Sequence, residues 1–252
     1  MTMTVFARTT ITLAVGCMFA AGCGTMSRPF PHATEYLCRR ADGPINIDGN
    51  LDDAAWQRAG VLTFVVPGTF DRPQSPAEGR LLYDDTYLYI AFKSDDKDVW
   101  HVNTQRDDKT WLEDVVEVFF KLDDNQSPYY EFEFNAIGVI WDGFMSRRGA
   151  AGDVRRWNQW NSEGLRVATR VQGTLNHWQD HDKSWTCEVA IPLSDLNVPV
   201  GRTAQSGDRW KFHLARYDYS THLEKGRELT STAPLRAADF HHYEDYQSLV
   251  FE

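Results

Sequence analysis

The feature that most narrows what this chain can fold into is the run Tyr129-Tyr130-Glu131-Phe132-Glu133-Phe134-Asn135-Ala136. Side chains alternate along a strand, so Tyr130, Phe132 and Phe134 share one face while Tyr129, Glu131, Glu133 and Asn135 share the other. The preceding run, Trp111-Leu112-Glu113-Asp114-Val115-Val116-Glu117-Val118-Phe119-Phe120, also reads as a strand. Residues 121–128 between them are dense in turn formers, which predicts an antiparallel hairpin. Its polar face gathers Glu117, Glu131, Glu133 and Asn135, with Trp111 at the rim. Hydrogen-bonding side chains beside an exposed aromatic plate suit a polyhydroxylated ligand, whose hydroxyls need partners and whose C–H faces stack on rings.

The rest of the chain repeats short alternating segments. Ile45-Asn46-Ile47 reads as a brief strand, followed by an Asp48-Gly49 turn and a short helix that docks Trp56 on the core. Arg80 to Tyr83 and Tyr87 to Phe92 flank Asp84-Asp85-Thr86 as a second strand pair. Asp95 to Lys109 is a polar loop. Further strands are expected at Gly138 to Gly143, Leu165 to Leu175, Trp185 to Pro192, Arg209 to Tyr217 and Tyr246 to Phe251, with a one-turn helix at Pro192 to Leu196. Trp210, Phe212 and Leu214 should face the core. Trp157 and Trp160, set among amides in a loop, are further candidates for ligand contact or for packing. With 42% apolar and 13% aromatic residues there is ample core material. No helical period is sustained, so the expectation is an all-β fold: an antiparallel two-sheet β-sandwich, jelly-roll-like, with short helical turns, in one domain over residues 36–252.

Residues 1–22 carry one charge, Arg8, ahead of the apolar stretch Ile11 to Phe19. That stretch falls short of the about 20 residues of a spanning helix and reads as an export signal. Small residues immediately before Cys23 resemble a bacterial lipobox, which implies cleavage before Cys23 and a lipid on its sulfur; a plain secretory signal is the alternative. Residues 23–35, with Pro29 and Pro31, then form a tether. The expected location is extracytoplasmic, on a membrane through the anchor, periplasmic or at the cell surface. A formal net charge of -10 argues against sequence-independent nucleic-acid binding, which needs a basic footprint. Cys38 and Cys187 lie in the domain. Cys187 alternates in phase with Val189 and Ile191 and reads as a buried small hydrophobe, with a Cys38–Cys187 disulfide as the alternative.

Five stretches in order, Ile45-Asn46-Ile47-Asp48-Gly49 with Trp56, Tyr83 to Tyr89, Trp111 to Glu117, Trp185 to Leu196, and Gly207-Asp208-Arg209-Trp210, resemble the family 9 carbohydrate-binding modules. The resemblance spans about residues 36–252. It implies a β-sandwich that holds sugars between aromatic plates, attachment in many relatives to xylan-degrading enzymes, and structural calcium in some. Carried over by position, it makes Trp111 one plate, Glu117 an acceptor of sugar hydroxyls and Asn135 a polar strand residue near the ligand. The opposing plate would come from Phe240-His241-His242-Tyr243, with Phe240 chosen. Near Asn135 the best-known pattern carries an arginine where this chain has Glu133, an inversion of charge.

Two other classes compete. Glu117, Glu131 and Glu133 could supply the paired carboxylates of a glycoside hydrolase, yet the chain has no Gly-x-Ser-x-Gly and no Cys–His pair in a recognisable context, so no catalytic residue is assigned. A structural or protein-interaction module on the same scaffold is the second. His177 with His181, and His241 with His242, lack the further ligands of a closed zinc site. Calcium is the cation that fits better, through loop aspartates Asp48, Asp52, Asp53, Asp84, Asp85, Asp123 or Asp124. The expectation is oligosaccharide or polysaccharide binding in support of glycan capture or degradation, with no other cofactor.

Overall fold

The structure is a computed structural model and describes residues 34–148 and 159–252. Among the described residues there are twelve strands: β1 (Glu35–Arg40), β2 (Leu62–Thr63), β3 (Ala77–Tyr83), β4 (Tyr87–Asp95), β5 (Val115–Lys121), β6 (Tyr129–Asn135), β7 (Ile140–Met145), β8 (Arg166–Gln172), β9 (Ser184–Pro192), β10 (Arg209–Tyr219), β11 (Arg227–Ser231) and β12 (Gln247–Phe251). They form one hydrogen-bonded path, β7-β6-β5-β10-β12-β1-β3-β4-β9-β8, with β11 added to β10 and β2 to β3. The expected all-β fold is what forms, and the helices among the described residues are short 3-10 segments of three to five residues.

The expectation of a wholly antiparallel arrangement is corrected at β1. Its first four residues run parallel to Ser248–Phe251 of β12, and Arg39 and Arg40 run parallel to Leu82 and Tyr83 of β3. One short strand thus joins two halves. The inner faces of both halves share a single core, in which Val118, Phe120, Phe132 and Leu214 meet Leu81, Ile90, Phe92 and Val189. The approach is close: a Cβ on Gly79 of β3 would lie 2.2 Å from Leu214 Cδ1 of β10. Trp210, Phe212 and Leu214 face this core as their alternation requires.

The β5–β6 hairpin is present in the expected register, with Glu117 opposite Glu133 and Phe119 opposite Glu131. Its first strand starts later than the sequence pattern indicates, because Thr110–Leu112 close a 3-10 turn before the chain extends at Val115. Two other local expectations fail for the same kind of reason. Ile45-Asn46-Ile47 is not a strand, because nearby backbone donors go to carboxylates: Asn46 N–H to Asp53, and Asp48 and Gly49 N–H to Glu188. Residues 192–196 form consecutive turns instead of a helix. Trp56 is buried as expected, and its indole N–H donates to the same Glu188 at 2.9 Å. Cys38 and Cys187 are both buried and free, so no disulfide joins them. Cys23 and Trp157 lie outside the described residues.

The outer face of β3, β4 and β9 is covered by a second apolar cluster that includes Ile45, Trp56, Leu82 and Tyr89. The outer face of β7, β6, β5 and β10 is covered differently. There Phe119, Tyr129, Trp141 and Ala215 pack against Ala233, Leu235, Phe240 and Tyr246 from the connection between β11 and β12. That partial cover leaves a cavity.

Candidate functional site

The cavity measures about 540 Å³, within the range of small-molecule sites. Alternation puts Glu117 and Phe119 of β5, Tyr129, Glu131 and Glu133 of β6, Trp141 and Met145 of β7, and Tyr217 of β10 on its floor. Phe240 and His241 form one wall, and Trp111 stands over another, its ring 6.2 Å from that of Trp141 and perpendicular to it. A larger hollow of about 720 Å³, beside Gly49 and Arg170, has no aromatic side chain in its lining, so it offers nothing for a sugar ring to stack on.

Trp111 is half-buried in its 3-10 turn. The turn is pinned on both sides: Tyr219 O–H donates to Trp111 carbonyl oxygen at 3.0 Å, and Thr110 hydroxyl donates to Glu133. Behind it lies a fixed frame. Glu113 accepts from Asn103 N–H at 2.8 Å and from Asn135 side-chain N–H at 2.7 Å. Asn135 also donates to Asn103 carbonyl oxygen and accepts from Val139 N–H. Asn135 is therefore fully buried and does not line the cavity, although it lies in phase with Glu131 and Glu133. The last residue of β6 runs under the 100–113 loop, where the frame needs an amide that donates and accepts at once.

The acids on the floor are unusual. Glu117, Glu131 and Glu133 are 2%, 5% and 2% exposed. Glu133 accepts from Thr110, but no described residue donates a hydrogen bond to Glu117 or Glu131, and Glu131 Oε2 is buried without a partner. Burial pushes Glu131 up to about 8. Burial and the neighbouring carboxylates raise Glu117 and Glu133 well above the usual range. Trp141 Nε1 is a buried donor without a partner as well. Unpartnered buried polar atoms cost about 1–3 kcal/mol each, so a ligand that bonds them recovers that cost.

Phe240 is held from behind by His213, which sequence reasoning missed. His213 Nε2 lies 3.0 Å from Phe240 carbonyl oxygen, so that nitrogen carries the proton, and Nδ1 accepts from Ser231 hydroxyl at 2.8 Å. Burial holds the imidazole down at about 3, neutral in the fold. Tyr246 O–H donates to the same carbonyl at 2.6 Å. Trp141 was missed too. Trp141 of β7 lies opposite Glu133 of β6, so carrying the hairpin register onto a third strand would have found it; His241 belongs to the segment expected to supply the opposing plate, from which Phe240 was chosen. Trp160 packs on Tyr130 and Phe132 at the core face and stands away from the cavity.

Of the loop aspartates named for calcium, three cap their own turns, Asp48 accepting from Asn50, Asp84 from Thr86 and Tyr87, and Asp123 from Asn125, while Asp85 pairs with Arg40. A set with cation geometry lies elsewhere. Oxygens of buried Asp96, Asp114 and Asp218 fall within 4.8 Å of one another. Arg216 meets Asp96 at 2.9 Å and Asp218 at 3.4 Å, yet three carboxylates face this one guanidinium and neither Asp218 oxygen has a hydrogen-bond partner. Three carboxylates are the hard oxygen donors that calcium takes.

A comparison with curated proteins finds no match. Among solved structures, a Bacteroides uniformis protein named for a proposed carbohydrate-binding role superposes with a TM-score of 0.66 at 16% identity, over 87% of this chain and 99% of that one. Two structures of a family 9 carbohydrate-binding module from Caldicellulosiruptor kristjanssonii are also similar. The one in complex with cellotriose has a TM-score of 0.57 at 15% identity, over 86% of this chain and 93% of that one. The one in complex with glucose has a TM-score of 0.56 at 15% identity, over 86% and 95%. These likenesses show the fold. The family model described as carbohydrate family 9 binding domain-like matches residues 47–248, from the Asp48-Gly49 turn into β12, and the chain belongs to that family.

Proposed function

We propose that this chain binds carbohydrate without transforming it, seating a sugar in the cavity on the outer face of β7, β6, β5 and β10. The observation that carries this reading is the meeting of acceptors that lack donors, Glu117 and Glu131, with the rings of Trp111, Trp141 and Phe240 in one cavity. Sugar hydroxyls are donors and sugar C–H faces stack on rings. Trp111 is one plate, Phe240 the opposing wall and Glu117 a hydroxyl acceptor; Asn135 acts at one remove, by fixing the loop that carries Trp111. Family membership and the sugars named for the Caldicellulosiruptor structures support the same reading.

The halves joined by β1 are read as the two sheets of a sandwich. The proposal includes export directed by residues 1–22, a lipid anchor at Cys23, a tether to residue 35 and a role in capturing or degrading plant-type polysaccharide such as xylan. It also includes structural calcium, with Asp96, Asp114 and Asp218 as the residues that fit it. The test is calorimetric titration of the chain with mono- and oligosaccharides, with calcium present. Saturable binding is expected, and Trp111→Ala should weaken it by roughly 30-fold, the size of a stacking hot spot. Absence of heat from a folded protein with every sugar would overturn the reading.

A further inference from the structure

The charge of the cavity is lopsided. Three carboxyl groups are sunk in it, and among the described residues no basic side chain is sunk beside them. Arg147 is exposed at the mouth, and Arg148 is engaged by Glu244 with its guanidinium 4.7 Å over the Tyr243 ring. His241 Nδ1 lies 4.0 Å from Glu131, but burial lowers its pKa, so at neutral pH it brings no positive charge. Asp239 adds another carboxylate at the edge.

A neutral sugar would bond these acids through hydroxyls and leave their charge unbalanced, or leave them protonated. A protonated amine does more: it brings three N–H donors and the missing positive charge together. The surrounding rings of Trp111, Trp141, Phe119 and Tyr217 attract cations through their faces as well as stacking on C–H groups. Two independent features, buried acids without donors and an aromatic enclosure, ask for the same group.

We infer that the cavity selects a sugar bearing a free, protonated amino group, of the 2-amino-2-deoxyhexose type, with the ammonium set among Glu117, Glu131 and Glu133. This rests on the sugar-binding reading and narrows its ligand class. Glu131, with an oxygen buried and unpartnered, is the acid placed to receive an N–H.

The test is isothermal titration of the full chain with three trisaccharides: the β-1,4 trimer of glucosamine, its N-acetylated counterpart and cellotriose. Acetylation removes the charge and keeps the ring. The amino trimer should bind at least about tenfold more tightly than the other two, and Glu131→Gln should bring that ratio towards one. Equal or tighter binding of the neutral sugars by the unaltered chain would overturn the inference and leave sugar binding standing. A folded chain that binds none of the three would overturn both. A tenfold ratio that survives Glu131→Gln would overturn the placement of the ammonium among these acids. The ratio in the unaltered chain is decisive even if the variant does not fold.

Discussion

Asn135 uses both ends of its amide inside the frame: two donor contacts, to Glu113 and Asn103, and two acceptor contacts, from Ile137 and Val139. Asn135→Ala would leave two backbone N–H groups and a Glu113 oxygen without these partners, at about 1–3 kcal/mol. Because the same frame carries Trp111, sugar affinity should fall with stability. Chemical denaturation and titration of the variant check both, and a loss of stability with unchanged affinity would separate the frame from the site. Other residues of the site were plain in the sequence. Strict alternation in β6 put Glu131 and Glu133 together, and the hairpin added Glu117. Alternation gives a face but not what covers it, which is why Asn135 looked like a ligand contact. His213 was invisible because a histidine in an alternating strand reads as any half-buried residue; only the carbonyl brought over it by the 231–246 segment gives it a task.

At the scale of elements, strands with clean alternation were legible and those read in other phases were not. β2 has two residues, β11 is the largely polar run Arg227–Ser231, and β1 pairs with β12 and β3 far along the chain, so nothing local marks them. The acidic cluster shows the same limit. Asp96 follows β4, Asp114 precedes β5 and Asp218 lies near the end of β10, so three elements had to be placed before their carboxylates could meet. If calcium binds there it ties those strand ends together. Calcium at about 100 times its dissociation constant should add about 2.7 kcal/mol, raising the melting temperature by roughly 5–10 °C for a domain of this size. Scanning calorimetry with calcium and with a chelator measures this, and Asp218→Asn should remove the difference. Equal melting temperatures with and without calcium would discard the site.

For the whole molecule, buried titratable groups set a pH window. Glu131 is pushed up from 4.5 to about 8, and Glu117 and Glu133 are raised with it. The fold therefore holds protons that the unfolded chain releases, and this contribution is lost as pH rises from about 4.5 through 8. His213 acts in reverse. Its pKa falls from 6.5 to about 3, so below 6.5 the unfolded chain takes a proton that the fold refuses, and stability drops with pH. Three raised acids outweigh one imidazole above about pH 4.5, so the melting temperature of the ligand-free chain should peak near pH 4.5 and fall towards pH 8, and Glu131→Gln should make the alkaline fall shallower. A melting temperature that climbs steadily to pH 8 would contradict the burial of these acids. The strand at the junction of the halves carries a last consequence, for how the molecule is made. Among the described strands β1 leaves the ribosome before all the others and β12 after them, and Arg39 meets Glu252 across 213 positions of chain. Until β12 has emerged, the edges of β1 and β10 that it will pair with stay open to other nascent chains, even where β1 already lies along β3. The seam closes only after the strands between β1 and β12 have been made, and a cell making this protein has to shield those edges until β12 arrives.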